Sequence, residues 1–436
     1  MRQRAWTIGL LGLAVLSVAP PVASARIKLI TLPPRQRVEI QLDNPNATLV
    51  EEERIVPLVK GVNQVDFSWA NTQIDPNTIV FRVLPRDEGP AVAKPAAAKA
   101  VPAKEAGVAA GANAVKAVPD KVEADDAAPL EIKVLSVSYP PNESALVWQV
   151  ASSGSGSARV RISYLLGNLT KSFNYRAVAS HDESALTLSE YVRIQNLANE
   201  SFGSTELWAG IGPRFHRPIG LNETKEMLVE KYDKVPLRKT YTSDPQAYGY
   251  IDRPQNKLLV TMHYVLTNNK QEHLGTGPLP YGKVRIFQDD GRGSTAFLGE
   301  DWGKFTPLDD QMKLYVGTAQ DVVVKRTIDK NEQRRVAGNL LNRDVVVKYE
   351  IENFKDKAVT LDVAESVRGI RNEVAGDTGR DVQWELAKDT TFDAGPDKED
   401  STYDHLVFHV QLPARGADAK AAKIVQKLHL VIKNEW

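Results

Sequence analysis

The stretch KVRIFQDDGRGSTAFLGED, residues 283–301, decides between two folds for this chain. Its acids and glycines resemble a helix–loop–helix calcium loop, which needs side-chain oxygens at positions 1, 3 and 5 and a carboxylate at position 12. Counted from Asp289, position 12 is Glu300, but positions 3 and 5 are Gly291 and Gly293. The flanking residues alternate as strands do, and the glycines suit a tight reversal. The stretch therefore predicts a β-hairpin.

Similar short runs, rich in Val, Ile and Phe and separated by polar turns, recur along the chain. They begin with IKLITL, QRVEIQL, VNQVDFSW and TIVFRVL, and they resume after residue 129 with runs such as EIKVLSVSY, KLLVTMHYVLTN and DVVVKYEIEN. This pattern predicts an all-β protein. We expect a small amino-terminal β-domain at 26–88 and two β-sandwich-like domains at 130–240 and 241–436. One short helix is expected in NETKEMLVEKY, capped by Asn222.

The segment from 89 to 129 has a different composition. Alanine dominates it, prolines recur and large apolar residues are nearly absent. Prolines would interrupt a helix, and the apolar surface is too small to offset the entropy of ordering the backbone. We predict a disordered Ala/Pro-rich linker here.

Residues 1–25 have the features of a cleavable signal peptide. Arg2 and Arg4 precede an apolar run at 8–18, and Ala23-Ser24-Ala25 forms a small-residue cleavage site. Eleven apolar residues are too few for a comfortable membrane span, so retention as an anchor is the less favoured alternative. We expect a secreted or periplasmic protein without stable membrane insertion after cleavage.

Composition excludes several kinds of chemistry. Lys plus Arg equals Asp plus Glu at 55 each, so no overall positive charge favours nucleic acid as a partner. The chain has no cysteine, which removes disulfides, thiolate nucleophiles and zinc–thiolate sites.

Two other patterns resemble known kinds of site. His405 and His409 have the spacing of a helical zinc pair, but in a strand this spacing separates them by ~13 Å, so they are expected on one face of a strand without a shared ion. The segment 299–305, GEDWGKF, lacks a second glycine at the interval of a phosphate loop and the Ser or Thr after Lys304.

Aromatic side chains are the remaining candidates, because they can stack on sugar rings. In strands they more often belong to the core. The candidates are Trp148, Tyr164, Phe173, Tyr175, Trp208 and Trp302.

Several longer stretches together resemble the mucoidy-inhibitor-A-like proteins, whose carboxy-terminal region is a domain of unknown function. The similar stretches are residues 62–84, 158–179, 191–210, 277–326 and 345–367, of which GPLPYGKVRIFQDDGRGSTAFLGEDWGKF is part of the best match. The resemblance implies two β-regions. Family members commonly carry a long charged helical segment between them, whereas this chain has the Ala/Pro-rich segment. Because the family has no agreed activity, the resemblance supplies no catalytic residues.

The sequence assigns no catalytic, cofactor-binding or metal-binding residue. The favoured function is that of a non-enzymatic β-protein of the cell envelope, which binds or scaffolds an envelope protein or polysaccharide. The alternative is a hydrolase of an envelope polymer, built from two carboxylates that come together only in the fold, one with a raised pKa. A third possibility is a subunit of an assembly whose linker lets domains exchange partners.

Overall fold

Sixty per cent of the described residues are in strands and 4% are in helices, which confirms the all-β prediction. The computed structural model describes residues 28–85, 130–248, 250–252, 256–377, 381–392, 395–416 and 420–435. The predicted signal peptide and the predicted linker at 89–129 lie outside the described residues. Among the described helices, none is long and apolar enough to cross a membrane.

The first of two compact units contains residues 28–39, 49–85 and 130–165. Within this unit the strands pair in the orders β1-β4-β7-β6 and β2-β3-β8-β5. The strands are β1 (Lys28–Thr31), β2 (Arg37–Gln41), β3 (Thr48–Leu58), β4 (Gly61–Ser68), β5 (Val80–Val83), β6 (Ile132–Ser138), β7 (Ala145–Ser152) and β8 (Gly156–Leu166), with a 3-10 turn at Pro76–Thr78.

Strands from both sides of the predicted linker pair within this unit. β4 is antiparallel to β7, with Val65 opposite Trp148, and β5 is antiparallel to β8. The buried rings of Phe67 and Trp148 lie 5.9 Å apart, centroid to centroid. The structure therefore joins the segment predicted as a separate domain (26–88) to strands that follow residue 129. The reason is that β4 needs a hydrogen-bonding neighbour, and β7 supplies it.

The second unit contains residues 40–48 and the described residues from 166 onwards. Its strands are β9 (Leu169–Ala179), β10 (Ala185–Asn196), β11 (Glu206–Trp208), β12 (Phe215–His216), β13 (Thr224–Pro236), β14 (Arg238–Ser243), β15 (Tyr250–Asp252), β16 (Lys257–Leu258), β17 (Val260–Thr267), β18 (Gly282–Asp289), β19 (Thr295–Gly303), β20 (Gln311–Thr318), β21 (Val322–Ala337), β22 (Leu340–Asn353), β23 (Val359–Ser366), β24 (Gln383–Leu386), β25 (His405–Leu412) and β26 (Ala422–Glu435). Its helices are α1 (Pro245–Tyr248) and α2 (Val367–Ala375).

Three sheets organise this unit. We call them the β10 sheet (β13-β10-β9-β18-β19), the β14 sheet (β20-β17-β14-β23-β25) and the β22 sheet (β15-β16-β21-β22-β26-β24). β18 runs parallel to β9, with Gly282 opposite Phe173, so strands from both predicted sandwich domains share one sheet. The predicted boundary at 240/241 falls inside this unit.

The hairpin at 283–301 is confirmed. β18 and β19 are antiparallel, and the Asp290 carboxylate accepts hydrogen bonds from the amides of Arg292 and Ser294. Gly291 has a φ of 71°, as a tight turn requires. Glu300 lies in β19, and its carboxylate accepts a hydrogen bond from Lys283 Nζ at 2.7 Å.

The one helix prediction was wrong. The stretch after Asn222 forms strand β13, because a long ladder to β10 outweighs a local helical preference. The helix α2 was not predicted, although Ser366 caps it by accepting a hydrogen bond from the Gly369 amide and Gly376 ends it with positive φ. These caps were a usable signal in the sequence.

Candidate functional site

The candidate site is built around Glu190, a charged residue in the middle of a core-facing row. Alternate residues of β10 face the interior, and Leu188 and Val192 on either side of Glu190 are fully buried. Glu190 has the same orientation and is 2% exposed. A buried carboxylate is costly unless hydrogen bonds or an opposite charge compensate it.

The neighbours of Glu190 do not supply that compensation. Directly opposite it lie Tyr175 on β9 and Glu230 on β13. The Tyr175 hydroxyl donates to the Pro280 carbonyl, and the Tyr232 hydroxyl bonds to Thr276 Oγ1. Within the described residues, Oε1 of Glu190 has no hydrogen-bond partner.

Glu190 lines a cavity of about 580 Å³, which we call the Glu190 cavity. Among the described residues, no Lys, Arg or His lines it. Gly212 in its wall has a φ of +68°, and a Cβ there would lie 2.5 Å from Cγ1 of Val229, so the wall requires glycine. The lining residues are Glu190, Ile211, Gly212, Pro213, Val229, Glu230, Tyr232, Thr276, Gly277 and Pro278.

The electrostatics of this cavity favour a proton or another cation. Burial, and secondly the like charge of Glu230, raise the pKa of Glu190 to about 7. Burial also raises the pKa of Tyr175 and Tyr232, so both phenols stay neutral at physiological pH. Near pH 7 Glu190 can therefore hold a proton, release it, or exchange it for a cationic group.

A second feature is a polar groove of about 640 Å³ on the outer face of the β14 sheet, which we call the groove. His263 lies in its floor at 7% exposure, and its Nδ1 has no partner within the described residues. Burial, and secondly Lys313, lower the pKa of His263 to about 4, so this ring is neutral. The lining residues are Thr242, Asp244, Ala247, His263, Asp301, Lys304, Gln311, Lys313, Tyr315, Asp362, Ala364, Asp400, His405 and Val407.

Beside the groove, His409 lies close to three aspartates, of which Asp362 and Asp400 line the groove. Its Nδ1 lies 2.8 Å from Asp362 Oδ1, and its Nε2 lies 3.4 Å from Asp397 and 3.8 Å from Asp400. Burial lowers the pKa of His409, but the three carboxylates outweigh this effect and raise it overall. His405 and His409 both lie on β25, as predicted, and within the described residues only His409 belongs to a potential metal-ligand group.

The aromatic candidates separate into two groups. Trp148, Tyr164 and Tyr175 are core residues, and Phe173 and Trp208 are half-buried. Trp302 is different: it is 51% exposed and stacks on the exposed Tyr281, with ring centroids 5.1 Å apart and planes 5° apart.

The sequence-based reading missed Glu190 and the partners of His409. A signal existed for Glu190, since LTLSEYVRI places a glutamate at a core-facing position of an alternating strand. No spacing rule could connect His409 with Asp362, because 47 residues separate them along the chain.

No model of a known protein family matches this chain, and no curated protein is significantly similar to it.

Proposed function

We propose that this chain is an exported binding protein of the cell envelope, whose Glu190 cavity holds a protonated amine. The observation that supports this proposal is the buried carboxylate of Glu190, whose Oε1 has no hydrogen-bond partner within the described residues; Glu190 lines a cavity of about 580 Å³ that has no basic lining residue in the described chain. A ligand cation would supply the missing counter-charge.

The walls of the cavity favour an organic cation over a metal ion. Ile211, Pro213, Val229 and Pro278 present hydrocarbon, and the volume is that of a small organic ligand. An ammonium group on an apolar stem would place its charge at Glu190 and its carbon atoms against these walls. The ring of Tyr232 adds a surface that attracts cations.

Isothermal titration calorimetry with n-butylammonium tests this proposal. We expect binding at pH 8, where Glu190 is ionised, and roughly tenfold weaker binding at pH 6, one unit below its pKa of about 7. Neutral n-butanol should bind much more weakly. Glu190→Gln should abolish the preference for the cation, whereas Glu226→Gln, an exposed position on β13, should leave it unchanged. Equal binding of butanol and butylammonium would refute the proposal.

The alternative function is hydrolysis of an envelope polymer. The pair of carboxylates formed by Glu190 and Glu230 favours it. Glu190 has a raised pKa suited to a general acid, and Glu230 lies directly opposite on β13. Profiling of purified protein against envelope polysaccharides and peptidoglycan tests it. Turnover that disappears in both Glu190→Gln and Glu230→Gln would establish the hydrolase, and absence of turnover on all these polymers would leave binding as the function.

A polysaccharide partner has its own candidate surface, the stacked pair of Tyr281 and Trp302. Exposed flat rings suit the apolar face of a sugar. Electrophoresis in gels that contain envelope polysaccharide should show retardation of the wild type. Trp302→Ala should lose this retardation, and Phe354→Ala, another exposed aromatic position, should keep it.

Export is the remaining part of the proposal. It rests on the signal pattern of residues 1–25. Mass spectrometry of the mature protein should find Arg26 at its amino terminus. A mature chain that retains residues 8–18 would instead indicate an anchor.

A further inference from the structure

The geometry points to a divalent transition-metal site formed by His409, Asp397 and Asp400 beside the groove. One ligand atom from each residue lies within 4.8 Å of the other two. The ligand atoms of a four- or six-coordinate ion with bonds of about 2.1 Å lie roughly 3.0–3.4 Å apart. The observed separations from His409 Nε2, 3.4 Å to Asp397 and 3.8 Å to Asp400, need only a small contraction.

His409 is held in the orientation that metal binding requires. Asp362 lies directly opposite it on β23, and the Asp362 carboxylate is 2.8 Å from Nδ1. A histidine that ligates a metal through Nε2 commonly donates its Nδ1 hydrogen to a carboxylate in this way. The same bond leaves Nε2 directed towards Asp397 and Asp400.

Asp397 and Asp400 come from one turn. The Asp397 carboxylate accepts hydrogen bonds from the amides of Glu399 and Asp400, so the turn holds both carboxylates on the same side of His409. One imidazole and two carboxylates form a mixed nitrogen and oxygen donor set. Ions such as Mn²⁺ and Zn²⁺ accept this set.

The cluster adjoins the groove, because Asp362 and Asp400 are among the residues that line it. Three protein ligands leave coordination positions open for water or for a small ligand on that side.

Electron paramagnetic resonance of Mn²⁺ tests the site, because the sharp signal of the free ion is lost on binding. The full chain should bind one equivalent of Mn²⁺. His409→Gln and Asp400→Asn should each weaken binding at least tenfold, and Asp362→Asn should weaken it by about tenfold or more through the orientation of His409. The control His181→Gln removes an exposed histidine outside the cluster and should have no effect.

The competing explanation is that His409 is a protonated ring held by three aspartates. In that case the wild type would leave millimolar Mn²⁺ and Zn²⁺ free, which would overturn the proposal, and equal Mn²⁺ binding by wild type and Asp400→Asn would do the same. Asp400 is exposed, so this variant should fold. Glu190→Gln should retain Mn²⁺ binding, which separates this site from the Glu190 cavity.

Discussion

Two buried glutamates in the second unit have opposite surroundings. Glu365 on β23 is 1% exposed, and Arg326 on β21 donates to it through Nε at 2.6 Å. Arg326 also lies 2.8 Å from Glu373 on α2. Glu190 is equally buried, but its cross-strand neighbour is Glu230, and its Oε1 has no partner within the described residues.

The difference shows what each carboxylate can do. Burial raises the pKa of both groups, but Arg326 opposes this effect at Glu365, whereas Glu230 adds to it at Glu190. The Arg326–Glu365 pair is closed, because each charge is neutralised within the core. Glu190 is open towards a cavity, so its charge must be neutralised by a proton or by a ligand.

Breaking the Arg326–Glu365 pair should have the largest effect on the free energy of unfolding. Arg326→Met removes the counter-charge of Glu365, and we expect the free energy of unfolding to fall by about 3–5 kcal/mol in urea titrations. The double variant Arg326→Met/Glu365→Leu should recover most of this loss, because no buried charge remains. A single variant as stable as the wild type would show that Glu365 is compensated by other groups.

Removing the charge of Glu190 should change the free energy of unfolding in the opposite direction. A folded-state pKa of about 7, above the ordinary 4.5, makes the wild type less stable as the pH rises from about 4.5 to 7. Glu190→Gln removes this dependence, so it should be more stable than the wild type above pH 7, by a difference on the order of 3 kcal/mol. Near pH 4 the two proteins should unfold at the same urea concentration. A constant difference across this pH range would contradict the assignment.

Removing the charge of an exposed carboxylate, Glu300, should have the smallest effect on stability. Glu300 in β19 bonds to Lys283, and this hydrogen bond lowers the pKa of Glu300. Solvent screens such surface pairs and weakens them. Glu300→Gln should therefore leave the melting temperature unchanged within error at pH 8, where Glu190→Gln raises it. A marked loss of stability would show that the hairpin depends on this pair.

The local features of the fold were largely predictable. The hairpin at 283–301 followed from its glycines and alternating flanks, and His405 and His409 lie on a strand as expected. The helix after Asn222 was predicted wrongly, because the prediction used only the local sequence pattern and this stretch is held as a strand by its pairing with β10. The pairing of β9 with β18 was not predictable from either strand, since parallel neighbours come from distant parts of the chain.

The sequence by itself determined the strand class, the turn at Asp290-Gly291 and the position of a glutamate in an apolar row. These depend on alternation and on backbone preferences, which act within a few residues. Only the tertiary structure decided that Glu190 faces Glu230, that Glu365 meets Arg326, and that Asp397 and Asp400 approach His409. Electrostatic effects depend on distance in space, and sheet pairing brings together side chains that the linear order keeps apart.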